Sequence, residues 1–202
     1  MDFFETVRKR RSLRRFSDQP AAHEDILAML EAATLAPSAT NEQPWHFIVI
    51  RDRELKEDMR DVVNAILETS IAATEDESRR QRLSGMQFYS THFADAPVAI
   101  AVLARPWVGG GYSSPTDPTS RDLGVVSVAM AVAHLQLAAT ALGYSSCFAS
   151  GPAEFAREEL EAMLSVQQPW FLVGMVSLGM AAKPPRERPP RKSLEEVCTF
   201  IE

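Results

Sequence analysis

Apolar residues along this chain recur in two rhythms, and the places where the rhythm changes mark most of its elements. Asp2-Phe3-Phe4-Glu5 has the spacing of a capping box and predicts a short helix ending near Arg10. After a turn around Ser17-Asp18-Gln19-Pro20, the residues Ile26, Leu27, Leu30 and Ala33 share one face of a helix over 23–35, closed by Pro37. A polar loop, 38–44, leads into the short apolar run Trp45–Ile50, the pattern of a buried strand. Asp52 is placed to cap a long helix in which Leu55, Met59, Val62, Val63, Ile66 and Leu67 repeat at helical spacing. The charged stretch 75–82 reads as an exposed helix, and 97–103 as a second strand.

The second half is more apolar. Residues 107–120, rich in Gly, Pro, Ser and Thr, predict a loop of about fourteen residues, a length typical of functional or mobile loops. The helix over 122–142 is apolar on nearly every face and is expected to run through the centre of the fold, with Gly143 as its stop. Residues 144–150 read as extended, Pro152 opens a helix to about Leu164, and 170–178 is the strongest strand. Four prolines exclude regular structure over 180–193, and 194–200 reads as a last strand. The sum is an α+β fold in one domain, 1–202, with four or five strands. Its proline-rich arm, 180–202, is expected to lie on a partner surface.

Composition narrows the class. With 46% hydrophobic and 24% charged residues and a net charge of −6 over 202 residues, the chain is globular. Cys147 and Cys198 form no disulfide framework or CxxC pair and read as buried thiols of a reducing compartment. The acidic start, Met1-Asp2-Phe3-Phe4-Glu5, is unlike a signal peptide. The most apolar region contains Arg121, Asp122, His134 and Gln136, and its longest apolar run, 128–133, is far below the roughly 20 residues of a membrane span. A cytoplasmic protein is expected, with no membrane partner.

The net charge hides a segregation. Arg8, Lys9, Arg10, Arg11, Arg14 and Arg15 near the start and Lys183, Arg186, Arg188, Arg191 and Lys192 near the end hold 11 of the 21 cations. The two segments contain one anion, Glu187, while the rest of the chain carries 10 cations against 26 anions. Such segments form solvated faces, a nucleic-acid surface or a pocket for one small anion. A pI near 5.3 and the absence of aromatics among the arginines argue against nucleic acid. A phosphate pocket joining the two segments is favoured.

Several chemistries lack their motifs. There is no GxxxxGK[ST] loop, Gly109-Gly110-Gly111 is not a GxGxxG fingerprint, and no GxSxG elbow occurs. His23, His46, His92 and His134 stand singly without HExxH and read as structural or surface residues rather than metal ligands.

Two segments carry chemistry. In Arg10-Arg11-Ser12-Leu13-Arg14-Arg15-Phe16, guanidinium forks and a hydroxyl suit a phosphate. In Ala36-Pro37-Ser38-Ala39-Thr40-Asn41-Glu42-Gln43-Pro44-Trp45-His46-Phe47, the amides of Asn41 and Gln43 suit the carbonyl edge of a heteroaromatic ring, although ordinary turn chemistry after a helix also accounts for the loop. In this order and about 20 residues apart, the two resemble the nitroreductase family of flavin enzymes. Asp122-Leu123-Gly124, Leu142-Gly143-Tyr144-Ser145-Ser146-Cys147-Phe148 and Pro190-Arg191-Lys192-Ser193-Leu194-Glu195-Glu196-Val197 extend the resemblance over essentially the whole chain.

The resemblance implies a nitroreductase-like fold: a central, mostly antiparallel sheet flanked by helices, a buried central helix, and an interlocked homodimer with FMN at the interface. Arg10, Arg11 and Ser12 would bind the FMN phosphate and ribityl region, with Arg191 returning to the phosphate and Arg14 approaching the pyrimidine side of the ring. Pro37, Ser38, Ala39, Asn41 and Gln43 would come from the second subunit, and Ala149, Ser150 and Gly151 would lie against the ring through main-chain atoms. Many relatives have Gly-Ser-Cys-Trp and a Gly-rich turn where this chain has Ser145-Ser146-Cys147-Phe148-Ala149-Ser150-Gly151. The implied reaction passes hydride from NADH or NADPH through flavin N5 to a small electron-poor acceptor, a nitroaromatic or quinone, by a ping-pong mechanism. Arg14 would act as electrostatic stabiliser, and no metal is required. Rival readings are another flavin reaction on the same scaffold (reductive dehalogenation, enone reduction or flavin fragmentation) and a non-enzymatic anion-binding module. The loop 107–120 is where acceptor preference is expected to be set.

Overall fold

The computed structural model describes residues 2–109, 114–184 and 187–201, so Gly110 and Gly111 of the expected loop and Pro185 and Arg186 of the tail lie outside the described residues. Four strands, β1 (Trp45–Ile50), β2 (Val98–Ala104), β3 (Ser145–Ala149) and β4 (Phe171–Gly179), form one antiparallel sheet in the order β1-β2-β4-β3. Strand β2 is buried along its whole length. Val98, Ile100, Val102 and Ala104 point to one core cluster, and Ala99, Ala101 and Leu103 to the other. A strand covered on both faces needs no polar alternation, so it reads in the sequence as a continuous apolar run.

Helices α1 (Phe3–Lys9), α2 (His23–Thr34), α3 (Arg53–Ala72), α4 (Glu77–Thr91), α5 (Pro118–Ala141), α6 (Gly151–Phe155) and α7 (Arg157–Met163) complete the layers. Ile26, Met29 and Ala33 of α2 join Val128, Ala131, Leu135 and Ala139 of α5 on one face of the sheet. Met59, Val63 and Leu67 of α3 join Ala153 and Leu160 of α6 and α7 on the other. Carboxylates start α1 and α3 as their spacing predicts: Asp2 accepts from Glu5 N (2.9 Å) and Asp52 from Leu55 N (3.2 Å). Asp117 accepts from Thr119 N at 2.9 Å, and Pro118 occupies the first helical turn. Helix α5 therefore begins earlier than expected and shortens the loop before it.

Three expectations need correction. Helix α5 is buried on one face only within the chain. Val126 and Met130 remain 51% and 37% exposed, because the helix lies on the sheet rather than between two layers. By length and apolar content α5 would suffice to cross a bilayer, yet Ser120, Gly124, Ser127, Val128, Ala131 and Leu135 are buried within the fold. The expected last strand is instead a short helix, α8 (Leu194–Val197), started by a capping box in which Ser193 N donates to Glu196 Oε2 at 2.8 Å. Cys198 beside it is exposed, while Cys147 in β3 is buried as expected.

One buried charge ties the layers together. Lys56 of α3 is 3% exposed, and its ammonium donates to Ala96 O and, at 3.3 Å, to Pro97 O at the entrance to β2. Burial, more than the neighbouring Arg53, lowers its pKa. Lys56→Met keeps the stem but leaves two carbonyls without their donor. It is expected to destabilise the chain by about 2 kcal/mol in urea unfolding. A change below about 0.5 kcal/mol would show that this clip contributes nothing.

Candidate active site

The segment after α1 is stitched to the outer edge of the sheet before it crosses the end of β4. Ser12 bridges Ser146 of β3, and Leu13 N donates to Ser146 O at 3.2 Å. Phe16 then bridges Ala181, Ser17 N donates to Met180 O (2.9 Å), and Ala182 N returns to Arg15 O (3.2 Å). The start of the tail is thereby paired with the arginine segment, and a cleft of about 720 Å³ opens between them. Arg10, Arg11, Ser12, Arg14, Lys183 and Arg191 line it, and Glu187 is the one carboxylate among its described lining residues. The two basic segments meet, as their charge pattern anticipated.

Arg188, which the sequence reading left without a role, fastens the junction. Its Nη2 donates to the carbonyls of Val7, Arg8 and Arg10 at 2.8, 3.0 and 3.2 Å, placing a cation at the C-terminus of α1. Desolvation first, then the fields of Arg11, Arg191 and Arg10, lower its pKa, a sign of how much positive potential gathers here. Arg11 donates through Nη1 to Arg8 O and Arg10 O, but its Nε is buried with no partner among the described residues. Ser12 receives long contacts from Arg10 Nη1 to its hydroxyl and from Arg14 Nη1 to its carbonyl, both at 3.5 Å. This donor set, rich in guanidinium and poor in acceptors, fits a phosphate group.

Helix α4 supports the other wall. The Arg14 guanidinium carbon lies 4.9 Å from the centre of the Tyr89 ring, a cation–π contact that holds it at the cleft. The next residue, Ser90, packs against Gly151, where a Cβ would come 2.2 Å from its hydroxyl, so the backbone of 149–151 lies close against the helix. Beneath Arg14, buried His92 shares a 2.7 Å hydrogen bond between Nδ1 and Ser177 Oγ, while its Nε2 finds no partner among the described residues. Burial, reinforced by Arg14, pushes its pKa down to about 4. His92 is the structural histidine that its solitary position suggested, whereas Tyr89 has no counterpart in the sequence reading, where the run Phe88-Tyr89-Ser90-Thr91-His92 ending a charged helix is the available hint.

The second predicted segment lies elsewhere. Residues 38–43 form a tight turn, with a 3-10 element over Ala39–Asn41, just before β1. Ser38 Oγ accepts from Gln43 N (3.0 Å), Gln43 Nε2 donates to Asn41 Oδ1 (3.5 Å), and Ala39 N donates to Ser127 Oγ of α5 (3.3 Å). Thr40, Asn41 and Gln43 have φ of 49°, 58° and 51°. Such left-handed backbone costs about 1–3 kcal/mol per residue and clusters at functional sites. Pro37, Asn41 and Gln43 are exposed.

The sheet separates the two segments diagonally. Ser12 flanks β3 at Ser146, opposite Leu178 and Val98, whereas the loop enters β1 at Trp45, opposite Ala104. With strands ~4.8 Å apart and rising ~3.4 Å per residue, they stand on the order of 25 Å apart. One chain thus gathers Arg10, Arg11, Ser12, Arg14 and Arg191, with 149–151 nearby, and does not bring Pro37, Ser38, Ala39, Asn41 or Gln43 to them.

The family model described as the nitroreductase family matches residues 7–180, and the chain belongs to that family. It is 32% identical over 171 residues, 84% of this chain and 80% of the relative, to a protein of Archaeoglobus fulgidus named "Putative NADH dehydrogenase/NAD(P)H nitroreductase". Among solved structures, a BluB-like flavoprotein from Clostridium difficile 630 matches with TM-score 0.87 and 31% identity over 100% of both chains. An iodotyrosine deiodinase bound to FMN and 3-iodo-L-tyrosine matches with TM-score 0.75 and 25% identity over 98% of this chain and 99% of its own. The fold is that of a family of flavoprotein oxidoreductases with more than one named reaction.

His92 gives the site a measurable pH signature. Its imidazole titrates near 6.5 when unfolded but at about 4 in the fold, so the unfolded chain takes up the proton first. Stability from this group is complete above pH 6.5 and is lost as pH falls towards 4, by about 3 kcal/mol in all. Urea unfolding of the cofactor-free protein between pH 7 and 4 is expected to show this slope, and His92→Gln to remove it. The same slope in the variant would contradict the assignment.

Proposed function

We propose that the chain is an FMN-dependent NAD(P)H oxidoreductase that reduces a small electron-poor acceptor, with each flavin site built between two copies of the chain. The observation that carries the reading is the arginine cleft, whose Arg11 Nε has no partner among the described residues, set diagonally across the sheet from the strained amide loop. Arg10, Arg11, Ser12 and Arg191 bind the phosphate. Arg14, held by Tyr89, would hold the pyrimidine side of the ring, with the backbone of 149–151 as a further contact. Pro37, Ser38, Ala39, Asn41 and Gln43 reach the same ring from the second copy, since Arg14 and Asn41 of one chain are too far apart to touch one isoalloxazine.

When bound, FMN supplies hydride chemistry at N5, taking hydride from NADH or NADPH and giving it to the acceptor. The protein's part is to bind, orient and stabilise charge. A guanidinium at Arg14 offsets the negative charge that the ring gains on reduction, and it does so in a site with little water, where ion–ion terms exceed their bulk value. The second copy also accounts for apolar surface that the chain leaves uncovered, including Val126 and Met130 on α5 and Phe3 and Phe4 on α1.

Reductive dehalogenation is the second reading, supported by the likeness to a deiodinase over nearly the whole chain. Turnover on parallel panels of quinones, nitroarenes and haloarenes separates the two.

The purified protein is expected to be yellow, with flavin bands near about 370 and 450 nm that bleach on anaerobic addition of NADH or NADPH. A colourless protein that takes up no FMN would overturn the reading. Arg11→Ala is expected to weaken FMN binding by about tenfold or more through loss of a charge-assisted contact. Arg14→Ala is expected to lower the flavin midpoint potential and slow reduction by about tenfold. An unchanged potential would exclude Arg14 as the stabiliser.

A further inference from the structure

Residues 105–109, which leave β2 towards α5, grip the amide loop at three points. Trp107 Nε1–H donates to Thr40 Oγ1 at 2.9 Å, Arg105 Nη2 donates to Glu42 O at 3.1 Å, and Val108 N donates to Glu42 Oε2 at 3.4 Å. The Arg105 amide continues the line with a 3.1 Å bond to Pro44 O, and Trp107 N anchors the same segment to Ser120 O of α5 at 2.8 Å. The indole lies directly on Gly109, where a Cβ would sit 2.0 Å from ring atom Cζ2, so glycine is what lets the ring settle against its own segment and reach Thr40.

What is gripped is strained. Thr40, Asn41 and Gln43 all hold left-handed backbone, and Thr40, being β-branched, tolerates it least. A conformation of this kind persists only where its surroundings over-determine it. The bonds from Trp107, Arg105 and Val108 fall on Thr40 and Glu42, the residues that flank Asn41 and precede Gln43.

We propose that Trp107 and Arg105 are positioning residues: they hold 40–43 in the left-handed conformation that presents the Asn41 and Gln43 amides to the flavin of a second copy. The proposal rests on the flavin reading above. It makes the segment leading into α5 a determinant of flavin affinity and potential, although it touches no flavin itself.

Trp107→Phe keeps an aromatic ring on Gly109 and removes the N–H, while Thr40→Val removes the acceptor at nearly constant shape. FMN affinity is read by fluorescence titration and midpoint potential by dye equilibration, both on the full chain. Each single variant is expected to weaken FMN binding about fivefold. Each is also expected to lower the potential, because amide donors hold the reduced ring more strongly than the oxidised one. Thr40→Val also loses the bond that its hydroxyl donates to Ala39 O at 2.8 Å, so the double variant is expected to be no worse than Thr40→Val alone, in which the Trp107 bond is already absent. Unchanged affinity and potential in Trp107→Phe would overturn the proposal. So would effects of the two substitutions that add, or a loss of cofactor-free stability with the potential of the bound flavin unmoved. A wild-type chain that binds no FMN overturns the flavin reading and this proposal together. Tight wild-type binding with an indifferent Trp107 overturns this proposal alone.

Discussion

The sheet keeps the two ligand-ready segments of this chain at diagonally opposite corners, and the rest of the account follows from that separation. Ser12 flanks the β3 edge near the start of β3, and the loop 38–43 enters the β1 edge at its far end. Neither could migrate without changing the strand order, because each is fixed by backbone pairing as well as by side chains. A cofactor that needs both guanidinium and amide contacts therefore requires two chains, so that dimer and site form together. The uncovered apolar face of α5 and the exposed tail, where Phe200 is 85% accessible, are consistent with the same requirement.

Electrostatics sharpen the point. The basic segments concentrate like charge in an otherwise acidic chain, and folding brings them together at a cost. Arg188 offsets part of it by placing its guanidinium on the carbonyls that end α1. The tail is paired against Phe16 and Ser17 in turn. The remaining potential, with Arg11 Nε left without a partner among the described residues, favours an anionic ligand that binds the folded state alone and so stabilises it by mass action.

Much of this was legible in the sequence, the elements because they are local and the basic segments because their charge is segregated. The four strands and the long capped helix over Arg53–Ala72 follow from apolar period and capping carboxylates, and the convergence of the basic segments follows from charge arithmetic. At α8, the apolar residues within 194–200 suggest a strand, while the Ser193/Glu196 capping box marks the helix that forms instead. The contacts of Arg14 with Tyr89, His92 with Ser177, and Trp107 with Thr40 join residues far apart in the chain. No periodicity encodes such pairs, since topology alone decides which positions meet. Positive φ at Thr40 was equally hidden, because threonine carries no bias towards that conformation.

Subunit complementation tests the shared site most directly. Arg11→Ala damages one corner and Asn41→Ala the other, so each homodimer carries two defective sites. In a heterodimer of the two variants, one site combines the intact cleft of one chain with the intact loop of the other, and the second site receives both lesions. Differently tagged chains, co-expressed and purified as the heterodimer, are expected to bind one FMN per dimer with wild-type affinity. If each chain instead builds its own site, every site keeps one lesion. No recovery of tight binding in the heterodimer would contradict the account.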